Sequence, residues 1–175
     1  MHFYRPKPLP DNYDSLQIIK SNDLHWFINY RRQYYINDIK EPWQPILTEV
    51  ISLGNPGDFP SFSALDLVFS ERALNYLENL LSGSIEALPL KTLENSDFFY
   101  IKVLDKLDCL DYERSVWEQN SSGLVRVESY VFQEKLVKDR HIFWLPRVNH
   151  FIVSESFKEL VERCSLEGLT FQQVT

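Results

Sequence analysis

The sequence predicts an α+β protein, an antiparallel or mixed sheet carrying two short, similar helix–strand units. Three observations lead there. Strand-like runs outnumber helix-like runs, the helices fall irregularly among the strands, and two segments repeat one order of residues. "LVFSERALNYLENLLSGSIEALPL" (67–90) and "FIVSESFKELVERCSLEGLTFQQV" (151–174) align at an offset of 84 positions, which sets Ser70 against Ser154. Each runs through three apolar residues, Ser-Glu, an apolar row, a glycine and a second apolar stretch. Ala73, Tyr76, Leu77 and Leu80 fall opposite Phe157, Leu160, Val161 and Cys164.

Taken in order, residues 1–12 contain Pro6, Pro8 and Pro10 and read as an extended, proline-stiffened arm. From 16 to 39, "LQIIKSNDLHWFINYRRQYYINDI" mixes aromatic and polar residues around a turn-like "SND", which predicts two strands or a strand pair. Pro42 and Pro45 interrupt the chain, and Ile46–Leu53 predicts a further strand or a short helix. "NPGDFPSFSALD" (55–66) is a loop by composition.

The first helix comes next. Ser70 is placed to cap it, with Glu71 at the positive end of the dipole. Ala73, Leu74, Leu77, Leu80 and Leu81 keep to one side, and Gly83 supplies the stop. Ser154, Glu155, the row Phe157-Leu160-Val161-Cys164 and Gly168 repeat the recipe. Helices this short are marginal alone and must bury their stripes against a sheet. Between them, 97–110, 124–133 and 139–148 read as strands, with "EQNSSG" (118–123) as a turn. The whole chain reads as one domain, with 1–60 as an arm and strands and 61–175 holding both Ser-Glu units.

Composition narrows the function. The chain has 175 residues, 44% hydrophobic and 14% aromatic, enough for a globular core. Its 18 basic and 25 acidic residues leave a net charge of −7, which argues against nucleic acid and leaves room for a basic protein partner. The N-terminus lacks a signal-peptide pattern and no apolar run is long enough to span a bilayer, so a cytoplasmic location without membrane attachment is expected. Two cysteines, Cys109 and Cys164, form no disulfide framework.

Catalytic motifs are absent: no phosphate-binding glycine loop, nucleophile elbow or zinc-protease helix, and hence no expected cofactor or metal. The densest polar run is "VLDKLDCLDYERS" (103–115). Asp105, Asp108, Asp111 and Glu113 offer oxygen ligands for a divalent cation, or carboxylates that close turns beside Arg114. Cys109 with His141 or His150 would be the elements of a thiol nucleophile and base, although the neighbouring acids oppose a thiolate. His2 and His25 share no ligand spacing with them.

The segments "VFSERAL", "YIKVLDKLDCLDYERS", "YVFQEKL", "IFWLPRV" and "IVSESFKELVERCSLEGLTFQQV" together resemble a family of bacterial immunity proteins from polymorphic toxin systems, over roughly residues 60–175. The resemblance implies a cytoplasmic antidote whose partner is a cognate protein toxin, with no catalytic residue to carry over. A hydrolase using Asp105, Asp108, Asp111 or Cys109 with a histidine, and a toxin-loading adaptor or chaperone, stand as alternatives. For the antidote, the expected contact surface is acidic and edged with aromatics: Asp105, Asp108, Asp111 and Glu113, with Tyr112 as an anchor.

Overall fold

A computed structural model describes residues 2–51, 54–63, 66–94 and 97–175. In chain order its elements are β1 (Phe3–Pro8), β2 (Ser15–Ile18), α1 (Ser21–Tyr35), β3 (Leu47–Ile51), β4 (Val68–Ser70), α2 (Glu71–Leu81), β5 (Ile85–Thr92) and β6 (Phe98–Val103). They continue with β7 (Val116–Gln119), β8 (Val125–Ser129), α3 (Glu134–Val137), β9 (Ile142–Leu145), β10 (His150–Ser154), α4 (Glu155–Arg163) and β11 (Leu169–Gln173). One antiparallel sheet runs β11-β1-β10-β9. A mixed sheet runs β2-β3-β5-β6-β4, and β7-β8 form a separate hairpin. The α+β expectation holds.

Both Ser-Glu segments fold as strand, helix, strand. β4 and β5 flank β6 and run antiparallel to it, with Ser70 opposite Phe98 and Phe69 opposite Phe99. β10 and β11 flank β1 in the same sense, with Ser154 opposite Phe3 and Val153 opposite Tyr4. Each unit is therefore a split β-α-β: two parallel strands joined by a helix, with an antiparallel strand between them. The serine hydroxyls cap as expected. Ser70 Oγ accepts from Ala73 N at 3.0 Å and Ser154 Oγ accepts from Phe157 N at 3.2 Å.

The two helices pack on each other, burying Ala73, Leu77 and Leu81 with Phe157 and Val161 in one cluster. Leu74, Leu80, Leu160 and Cys164 lie at its margin, while Tyr76 faces water. A polar clasp joins their ends. Arg72, in the first turn of α2, donates to the Cys164 carbonyl at 2.8 Å, at the C-terminal end of α4 where a cation is favoured. Arg72 also pairs with the buried Asp58 at 2.7 Å. Asp58 in turn accepts from Ser70 Oγ at 2.8 Å and Glu167 N at 3.0 Å, so among the described residues its carboxylate bonds serve the two units.

Two readings of the first 60 residues need correction. The segment 16–39 is β2 followed by the 15-residue helix α1, not a strand pair. Phe27, Tyr30 and Tyr34 recur at helical spacing and bury against the mixed sheet, and this packing overrides the β preference of the aromatics. Lys20 at the N-cap makes no side-chain bond, so the usual start signal is missing. The expected arm is likewise the strand β1, set between β10 and β11. Of the strand or short helix expected over Ile46–Leu53, the structure shows the strand β3 up to Ile51, with Ser52 and Leu53 outside the described residues. Ala64 and Leu65 of the expected 55–66 loop lie outside them too.

The prolines of β1 limit its pairing on one side. Val174 N donates to Phe3 O and Leu9 N donates to Gly168 O, so the odd residues of β1 bond β11. The even residues therefore face β10, and two of them, Pro6 and Pro8, have no N–H to offer. Pairing with β10 stops at Tyr4, and the two strands diverge.

Candidate functional site

The hairpin β7-β8 forms a sheet of its own, facing Arg5, His150 and Gln172 of the four-stranded sheet across a groove. Every residue of β7 is exposed, including Val116 (55%) and Trp117 (36%). The hairpin is anchored beside its turn: Val125, which opens β8, is buried with Phe3, Phe143 and Ile152, and its N–H donates to Arg147 O at 2.8 Å. Trp117 leans on the preceding turn, its ring edge-on to Tyr112 at 5.2 Å and its Nε1 donating to Tyr112 O at 2.9 Å. Tyr112 donates its hydroxyl to Asp108 Oδ1 at 2.7 Å, and the Arg147 guanidinium lies over its ring at 4.8 Å. Burial, with the Asp108 carboxylate, pushes the Tyr112 hydroxyl up to about 12, so it stays a donor.

The predicted acidic set divides in this geometry. Asp108, Tyr112 and Glu113 share the exposed turn with Trp117. Asp111 accepts from the backbone N–H groups of Glu113 and Arg114, at 3.2 Å each, and closes the turn. Asp105 accepts from Ser84 Oγ at 2.8 Å and pairs with Arg140 at 3.1 Å, tying the first unit to the segment before β9.

The elements of a thiol nucleophile do not assemble. Cys109 is fully buried, and burial above all, with Asp108 adding, pushes its thiol up to about 12. His141 Nδ1 sits 2.9 Å from Ser154 Oγ, and His150 Nδ1 sits 2.7 Å from the Asn149 carbonyl. Among the described residues no three His, Cys, Asp or Glu side chains stand close enough together to hold a metal ion.

Beneath the hairpin lies a groove of about 790 Å³, floored by Arg5, His150 and Gln172 and walled by β7, β8 and Tyr130. A second hollow of about 490 Å³ opens where β1 leaves β10, against Pro6, Pro8, Trp144 and Phe151, and shares Arg5, Asn149 and His150 with the first. Burial pushes the His150 imidazole below its usual range, and the positive charges of Arg5 and Lys7 add to the shift. Neither Trp117 nor Arg5 stood out in the sequence. The alternating Pro6 and Pro8 were the available signal, since proline in a strand marks where pairing ends.

The match to known families falls on these elements. The model of the immunity protein family Imm11 matches residues 55–175. The chain belongs to the Imm11 immunity protein family. The matched span opens at the loop that carries Asp58 and takes in both helices, the hairpin and its turn, while β1 lies before it. No curated protein matches the chain.

Proposed function

We propose that this Imm11 member is a non-enzymatic antidote of a bacterial polymorphic toxin system, acting in the cytoplasm by binding one cognate toxin and blocking it. The observation that carries the reading is the exposed strand β7. Exposed Val116 and Trp117 beside Asp108 and Glu113 form an apolar centre with an acidic rim, the arrangement that protein interfaces use. The buried Cys109 and the separate engagements of His141 and His150 speak against the hydrolase alternative.

The aromatic residues would supply most of the affinity and the carboxylates would speed the encounter with a basic toxin face. The test is association with a purified candidate toxin, the product of an adjacent toxin gene where the genome carries one, measured against ionic strength. Asp108→Lys with Glu113→Lys is the informative pair, because Asp111 is committed to its turn. Salt should slow association of the native protein, and the double variant should lose most of that dependence. Equal, salt-independent rates would remove the acidic-face mechanism. Binding without inhibition of the purified toxin would favour the adaptor or chaperone instead.

A further inference from the structure

Arg5 differs from the paired cations of this protein. Arg31, Arg72 and Arg140 each hold a carboxylate at 2.7 to 3.1 Å, whereas among the described residues no carboxylate pairs with Arg5. Yet Arg5 is half-buried, and a desolvated cation without a counter-charge is costly. It stands in the groove beneath the hairpin with the Tyr130 hydroxyl and a His150 ring that Arg5 and Lys7 help to keep neutral. This is a positive spot in a protein of net charge −7.

The other charged groups lining the groove are on the hairpin. Arg126 and Glu118 approach each other at 3.6 Å, and Glu128 is on an exposed strand position. The space, about 790 Å³, is far larger than a small anion requires and is open along the hairpin. We propose that this groove receives an aspartate or glutamate side chain on an extended segment of a partner polypeptide, with Arg5 as the anchor for its carboxylate. The Tyr130 hydroxyl and the Asn149 and Gln172 amides would meet the segment's backbone. The proposal stands without the antidote reading, because its test needs no toxin.

The full chain is titrated with the capped peptide acetyl-Gly-Thr-Glu-Thr-Gly-amide, with the Gln analogue and with inorganic phosphate, while His150 ring resonances are followed by NMR. The Glu peptide should saturate the site, and the Gln analogue should bind about tenfold or more weakly, the range of a charge-assisted bond. Binding should raise the His150 pKa, since the carboxylate offsets the field of Arg5. Arg5→Gln should abolish the Glu preference and raise the His150 pKa in the free protein, while Arg5→Lys keeps part of the preference. Equal affinity of the two peptides, absence of saturable binding, or a preference that survives in Arg5→Gln would overturn the proposal. Phosphate binding as tightly as the Glu peptide would overturn it too, leaving a small-anion site. Should Arg5→Gln fail to fold, the native protein's Glu–Gln difference and Arg5→Lys decide.

Discussion

In the first unit, β4-α2-β5, the strand that fills the split is β6, the next strand in the chain; in the second, β10-α4-β11, it is β1, from the far end of the sequence. The sheet edges are reversed as well. The leading strand β4 is the edge of the first unit and has only three residues, whereas the trailing strand β11 is the edge of the second and carries no charge over Leu169–Gln173. The helix signals are nevertheless the same in both: a serine cap, a glutamate in the first turn and an apolar row. Caps and rows act within a few residues and specify a helix wherever they occur. Which strand enters the split, and which edge stays open, is set outside those few residues: by the next strand in the first unit and by one from the far end of the chain in the second.

The largest test of this likeness is the shared core. Phe157 and Leu77 are fully buried where the helices meet, and truncation to alanine should cost about 3–5 and about 2–5 kcal/mol respectively. Leu160, only partly buried, should cost less. Urea unfolding of each variant gives the values, and a cost near zero at Phe157 would mean that the second helix is not packed as described.

The glycines should separate the units. Gly83 (φ +77°) has nothing within 4 Å of an added Cβ, so Gly83→Ala should cost only the left-handed backbone penalty, about 1–2 kcal/mol. Gly168 (φ +111°) would bring that Cβ to 3.0 Å from the Phe59 carbonyl oxygen, in the loop that holds Asp58. Gly168→Ala should therefore cost more, about 3 kcal/mol. Equal shifts in thermal midpoint would show that the second turn relaxes away from Phe59.

The smallest effect belongs to the caps. Ser70→Ala and Ser154→Ala should each cost about 1 kcal/mol. Each hydroxyl also has a second partner, Asp58 in the first unit and His141 in the second, so the two costs should be similar. A clear cost at Ser70 with none at Ser154, in the same unfolding assay, would reduce the repeat to a likeness of sequence.

Ser70, Ser154 and their apolar rows were legible in the sequence because capping and helical periodicity are local. Helix α1 was not, because its cap position is a lysine without a side-chain bond and its buried face is built of Phe27, Tyr30 and Tyr34, residues that fit strands equally well. Asp58 was hidden inside a loop. Its neighbours, Arg72 and Glu167, come together only when the two units meet. The acidic turn was legible as a cluster but not in its division of labour, since Ser84 and Arg140, which engage Asp105, lie far from it in sequence. Arg5 could not be recognised as unpaired until its surroundings were known.

The position of β1 has a consequence for how the molecule assembles. The first unit can close from one continuous stretch, 68–103, whereas β1 must wait for residues 150–173 before it has a neighbour on either side. Long-range pairings of this kind form slowly, and a waiting strand with free backbone groups invites wrong partners. Pro6 and Pro8 lie on that strand and remove donors from one of its edges. The same two residues that open a hollow in the finished protein therefore guard the unfinished chain against mispairing.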